Sequence, residues 1–405
     1  MTATTTTPRP RLMAIRAAWL FDGSGSKLLA DPVVVIDGST VVSVQHGVET
    51  PDDAVVVDLG GATLLPGLID THVHLLFDAS PDPVEGLAAR TDEQALAAAR
   101  EAGRTALRGG VTTVRDLGDR NYLSLALRGE PDLPTIVAAG PPITTATGHC
   151  HFLGGATEAT VSGVRRAVRE HAEHGVDVVK IMASGGTMTP GTRQELAQFP
   201  AEVLRAAAEE ANRHGLAITA HAHGTAAIRD CVEAGFDGME HVSFWSADGV
   251  DEPGELVELI AQRQIAVGAT LGFVPAPGAV PPAAILQRMP KMLANMRRLF
   301  AAGARIAAGT DAGIAPVKPP DVCRHTLVQL CELGMDPAQA LRTVTSVAAD
   351  VCGIAHRKGR IAAGFDADLL AVSGDPLTDP TAIHRIRAVY REGAAVTPPT
   401  PGISD

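Results

Sequence analysis

Between Pro66 and about His356 the chain repeats one unit: a short apolar run, a polar or glycine-rich loop, then a longer Ala-rich segment with helical spacing. The runs are GLIDTHVH, GVTTVRDLG, TIVAAG, VDVVKIMASGG, LAITAHAHG, FDGMEHVSF, IAVGATLGF and ARIAAGTDAG, and segments such as DEQALAAAREAGRTALRGG and AEVLRAAAEEANRHG separate them. Near-continuous apolar strands that alternate with helices belong in a parallel sheet covered by those helices. Eight such units predict an α/β fold, a (β/α)8 TIM-like barrel, whose active site lies at the C-terminal ends of the strands. An open doubly wound sheet is the competing arrangement, but no Gly-x-Gly-x-x-Gly follows the first strand.

The two flanks follow a different period. From Leu12 to about Leu65 the segments LMAIRAAWLFDG, VVVIDGSTVVSV and AVVVDLGGATLL are punctuated by Gly-Ser and Asp-Gly pairs, which predicts antiparallel strands and hairpins. After Gly359 a β pattern returns in RIAAGFDADLLAVSGDP and IRAVYREGAAV. The expected organisation is therefore a β-sandwich built from both terminal segments, 12–65 plus 359–398, beside a hydrolase domain at 66–358. Residues 1–11, rich in Thr and Pro, are expected to be disordered. They lack the charged start and apolar stretch of a signal peptide, so the expected location is cytoplasmic.

Composition narrows the partners. Hydrophobic residues make up 45% of the chain but aromatics only 3%, so the core must be aliphatic. No uncharged apolar run is long enough for a transmembrane helix. The five cysteines are odd in number and show no Cys-x-x-Cys spacing, which predicts free thiols rather than disulfides or a structural zinc site. A formal charge of −12 opposes capture of nucleic acid or an anionic membrane, leaving a small-molecule substrate as the expected partner. A homo-oligomer is compatible with the sequence, which does not set the oligomeric state.

Chemistry gathers at the ends of the predicted strands. His72 and His74 are two apart and point to the same side of a strand, where two imidazoles can grip one ion. Lys180 ends VDVVK, His221 ends AITAH, His241 ends GMEH and Asp311 ends IAAGTD. If the barrel closes, all six meet at one mouth. Asp116 ends the second strand, where it either supports the site by hydrogen bonding, pairs with Arg115 or caps its loop. Imidazole and carboxylate suit a borderline divalent ion such as Zn²⁺.

This set resembles the amidohydrolase superfamily, in its binuclear form. There the first strand ends in His-x-His, the fourth in a lysine carboxylated on its amine, the fifth and sixth in histidine and the eighth in aspartate. LLPGLIDTHVH and GFDADLL also look like family features. The stretch PPITTATGHCHFLGG, with His149 and His151, is similar to the Thr-Gly-Gly-His-Cys segment of the prolidase-like (Xaa-Pro dipeptidase-related) branch, although Thr147 replaces its first glycine. The resemblance implies two divalent ions, Zn²⁺ expected, held by His72, His74, His221, His241, Asp311 and an N6-carboxylysine at Lys180.

The implied activity is metal-dependent hydrolysis of an amide or peptide bond by a metal-bridging hydroxide, with Asp311 and Lys180 as the catalytic pair and a dipeptide or N-acyl amino acid as substrate. His149, His151, His223 and Arg193 are candidate substrate-binding residues. At the position of His223 many relatives carry tyrosine. Alternatives are a cyclic amide, lactone or phosphoester substrate, deamination, or a non-catalytic scaffold. The strand-four lysine argues against the deaminases, and the full ligand set argues against the scaffold.

Overall fold

A computed structural model describes residues 12–279 and 282–396. The segment expected to be disordered, 1–11, and positions 397 and 398 of the expected sandwich lie outside these residues. Seven short strands come first: β1 (Met13–Arg16), β2 (Trp19–Leu20), β3 (Leu29–Ala30), β4 (Pro32–Asp37), β5 (Thr40–His46), β6 (Val55–Asp58) and β7 (Ala62–Pro66). Three more close the described chain: β19 (Leu369–Ser373), β20 (Ile386–Arg391) and β21 (Ala394–Val396). They form two sheets, β5-β4-β1-β6 and β21-β20-β19-β7-β2-β3, so both termini contribute to the second.

The expectation of hairpins holds for β4–β5 but not throughout. β6 pairs parallel with β1, and β7 parallel with β2. The reason lies at Gly60–Gly61, where the chain passes from the first sheet to the second instead of turning back on itself; Gly60 has φ +57°. Period-two alternation then serves two cores at once. Leu64, Leu369 and Ala371 meet Ile15, Val34 and Ile36 of the first sheet, while Leu65, Leu370 and Val372 join the core of the central strands.

The central strands are β8 (Leu68–Val73), β9 (Val111–Asp116), β10 (Thr135–Ala138), β13 (Val178–Met182), β14 (Ala217–Gly224), β15 (Gly238–Ser246), β17 (Ala266–Thr270) and β18 (Arg305–Gly309). The short β11 (Thr144–Thr145) and β12 (Ala156–Thr157) pair with each other, and β16 (Gly249–Val250) folds back on β15. The order is β10-β9-β8 in one parallel sheet and β13-β14-β15-β17-β18 in another. Single parallel bridges join their edges on both sides, Val73 to Ala312 and Ile143 to Ile181. The corresponding bonds are His74 N–H to Ala312 O at 2.9 Å and Ile143 N–H to Lys180 O at 2.8 Å. The fold is thus α/β with parallel sheets.

Helices cover these strands, and their Ala-rich faces explain the close fit. Helix Asp92–Arg108 starts at a capping box, Thr91 with Gln94, and buries Ala95, Ala99, Gly103 and Ala106. A Cβ on Gly103 would lie 3.0 Å from Leu133. Among the described residues no helix is long and apolar enough to cross a membrane.

Candidate metal centre

His72 is the fifth residue of β8, and His74 follows its end; His221 and His241 lie within β14 and β15, and Asp311 two residues past β18. Their side chains form two adjoining groups. In the first, His72 Nε2 and His74 Nε2 lie 3.4 and 3.2 Å from Asp311 Oδ1. In the second, His241 Nε2 lies 3.1 Å from His221 Nδ1, and His223 completes a set whose ligand atoms are all within 4.8 Å of one another. The His72 and His241 ring centroids are 5.4 Å apart.

The opposite nitrogen of each ring is tied to the protein. His72 Nδ1 faces Glu240 Oε2 at 3.1 Å, and His74 Nδ1 faces the Gly118 carbonyl at 3.0 Å. His221 Nε2 faces the Gly185 carbonyl at 3.0 Å, and His241 Nδ1 the Thr270 hydroxyl at 2.9 Å. A carbonyl or carboxylate can only accept, so His72, His74 and His221 carry a proton on that side, and in the neutral rings of His72 and His221 the lone pair of the other nitrogen faces the group; the Thr270 hydroxyl can donate or accept, which leaves either tautomer open to His241. Metal-binding histidines are oriented in this way.

Burial sets the charges. It draws His72 down to about 4 and takes His221 and His241 well below the ordinary 6.5, so these rings are neutral donors. Burial would raise Asp311, but His72 and His74 hold it far below the usual carboxylate range. Lys180, in the middle of β13, is 1% exposed; burial draws its ammonium down to about 8 against the carboxylates of Glu240 and Asp311. Neutral imidazoles, an ionised carboxylate and an amine within reach of its neutral form suit a borderline divalent ion. The backbone is strained here too, since His241 and Asp311 adopt φ of +72° and +63°.

Two buried carboxylates brace the loops. Asp70 accepts from Thr310 N–H at 3.0 Å, from its hydroxyl at 2.6 Å and from His72 N–H at 3.2 Å. Asp116 accepts from Leu75 N–H at 3.1 Å and Gly118 N–H at 3.0 Å, and so sets the carbonyl that takes His74. Arg115 does not pair with Asp116; its guanidinium reaches Glu240 at 3.0 Å.

The four expected substrate-binding residues separate. His149 is buried with its ring centroid 4.7 Å from that of His221, and its Nδ1 has no partner. His223 stacks on His241 at 4.4 Å and bonds the Ser243 hydroxyl at 2.7 Å. His151 is exposed and bonds its own loop at the Gly148 carbonyl, and exposed Arg193 is paired with Glu195. Sequence reasoning missed Glu240 and Lys318. The Lys318 ammonium donates to the Thr270 and Leu271 carbonyls, both at 3.0 Å, next to the site. For Glu240 the available signal was a charge inside the apolar run FDGMEHVSF.

A profile of the amidohydrolase family matches residues 63–396. The chain is 30% identical over 363 residues to ochratoxinase from Aspergillus niger, a match covering 80% of this chain and 73% of the relative. A crystal structure of a Xaa-Pro dipeptidase with methionine in its active site superimposes with a TM-score of 0.81 at 25% identity, covering 95% of this chain and 99% of that one. A prolidase complexed with N-methylphosphonate-L-proline gives 0.84 at 28% identity, covering 96% and 100%.

Proposed function

Because the chain belongs to the amidohydrolase family, we propose that it hydrolyses an amide or peptide bond of a small molecule, a dipeptide or N-acyl amino acid, at a centre holding two divalent ions. The carrying observation is the pair of convergent groups, in which each of four rings keeps one nitrogen bonded to the protein and turns the other inward. We read the eight parallel strands as a (β/α)8 barrel spanning 66–358, supported by the bridges at both seams. The two flanking sheets we read as one sandwich of 12–65 and 359–398.

In this reading His72, His74 and Asp311 would hold one ion and His221 and His241 the other, and Lys180, carboxylated on its amine, would serve as a ligand to both. Zn²⁺ suits these donors. Two such ions supply a water acidified to near neutrality and a Lewis acid for the substrate carbonyl. Asp311, held ionised by its neighbours, would be the acceptor for the proton of that water and would return it to the departing amine. His149 and His223 are the side chains we assign to the substrate. The names of the structural relatives, a Xaa-Pro dipeptidase and a prolidase, support a carboxylate-bearing amide.

The test is a hydrolysis screen of dipeptides, N-acyl amino acids and lactones on protein of measured metal content. About two ions per chain and preferred cleavage of carboxylate-bearing amides are expected. Faster cleavage of lactones or carboxylate-free amides would refute the substrate, and no turnover of any amide by metal-replete protein would refute the activity. A second reading makes His223 a third imidazole of the outer ion, favoured by its place within the 4.8 Å group. His223→Phe separates the two: lost metal supports ligation, whereas a raised KM with full metal content supports substrate contact.

A further inference from the structure

Glu240 is 1% exposed and charged, and it is the one acidic residue of its strand. Its carboxylate is fully engaged. Oε2 accepts from His72 Nδ1 at 3.1 Å, while Oε1 accepts from Arg115 Nη2 at 3.0 Å and from the Thr219 hydroxyl at 2.9 Å. Arg115, itself 4% exposed, is fixed from a second side by its Nε bond to the Thr71 carbonyl at 2.7 Å. On the neighbouring strand Gly268 leaves the room: a Cβ there would lie 1.9 Å from Glu240 Oε2.

Two features argue that this arrangement serves the site. A buried ion pair adds little stability over apolar residues of the same volume, so stability alone explains it poorly. Consecutive residues of a regular strand also face opposite ways. Yet Glu240 bonds the His72 ring and His241 packs 5.4 Å from it, which the left-handed φ of +72° at His241 permits. Local strain thus brings carboxylate and imidazole to the same end of the strand.

We infer that Glu240 is a positioning residue: clamped by Arg115 and Thr219, it holds His72 as the Nδ1–H tautomer and keeps Nε2 open toward Asp311, a role that rests on the two-ion reading above. Glu240→Gln exposes the logic. The Oε1 side faces two donors, one of which, Arg115, can never accept. The amide oxygen of glutamine therefore takes that side, and its NH₂ turns to His72 Nδ1. His72 must then present a lone pair there and carry its proton on Nε2, which closes the inner group. The outer group keeps its own partners, Gly185 and Thr270.

The experiment titrates zinc into full-length wild-type and E240Q protein after chelation, and follows ¹⁵N-labelled histidine by NMR in the same samples. Wild type is expected to bind two ions and, free of metal, to show an Nδ1–H proton at His72. E240Q is expected to keep one ion at wild-type affinity, to bind the other about 10- to 100-fold more weakly, and to show Nε2–H at His72. Folded E240Q that binds both ions as wild type does overturns the positioning role and leaves the two-ion reading standing. Wild type that binds no divalent ion overturns the two-ion reading itself. Should E240Q not fold, the wild-type spectrum decides: an Nε2–H tautomer at His72 overturns the inference, and Nδ1–H supports it.

Discussion

Lys180 has apolar neighbours along β13, and a lysine drawn down to about 8 by burial is partly neutral at physiological pH. The neutral amine is the form that adds CO₂. Replacing Lys180 with Met keeps most of the bulk and removes that chemistry. We expect a folded protein that loses metal affinity by at least the ~10- to 100-fold known for groups outside the coordination sphere, and whose native mass lacks the CO₂ that wild type carries. Wild type without that added mass would refute the carboxylysine. Asp311→Asn removes the proton acceptor and should lower turnover about 10²- to 10⁴-fold; near-normal turnover would refute its role. The six proposed ligands were legible as metal-binding residue types set in or at the ends of apolar runs, although Lys180 and His241 stand inside their strands rather than at the ends. Glu240 was not, because alternation turns it away from His241 and only the φ at His241 reverses that. Lys318 lies in an irregular loop, seven residues past Asp311, where no period places a side chain.

The second flanking sheet carries apolar side chains on both faces, which makes β7 and β19 the elements that couple the terminal segments to the central strands. Leu370 shows what that coupling demands. Its side chain packs over Gly110, where an added Cβ would lie 3.1 Å from Leu370 Cδ1, and Gly110 has φ +90°. Leu370→Ala should therefore cost about 2–5 kcal/mol in denaturant unfolding. Val56→Ala, at a site 45% exposed on the edge strand β6, should stay within about 0.5 kcal/mol. Equal losses at the two sites would show that the second sheet is not packed on both faces. The strands themselves were legible from alternation. Their partners were not, because a run such as AVVVDLGGATLL reads equally as a hairpin or as two strands of different sheets. Only long-range packing, through the crossing at Gly60–Gly61, decides between them.

Across the whole molecule, the buried imidazoles should make the chelated protein acid-labile before most of its carboxylates titrate. Burial takes His72 and His149 down to about 4 and His223 to about 3, and lowers His221 and His241 as well, from an ordinary 6.5. Between those folded values and 6.5 the unfolded chain binds protons that the folded chain refuses, so stability rises with pH across this window. Four carboxylates act against it, among them Asp230, which burial raises. Burial raises Asp70 and Asp119 to about 7 and Asp116 to about 6, so the folded state keeps protons that the unfolded state has released. His74, raised above 6.5 by Asp311 against burial, is protonated in both states below that value and drops out. With His171, His325 and His384, which burial also lowers, eight imidazoles outnumber the four carboxylates, and melting temperature should fall as pH is lowered from about 6.5 to about 4. Zinc should steepen the same slope, because an ion bound only by the folded state adds stability through deprotonated ligands and loses them to protons on acidification. Thermal melts from pH 4 to 8, with and without zinc, check both expectations. The gap between loaded and chelated protein should be widest at pH 8 and should narrow toward pH 4. A chelated protein equally stable at both ends of the window would mean that the imidazoles protonate in place, and a gap indifferent to pH would mean that zinc binds elsewhere than on these rings.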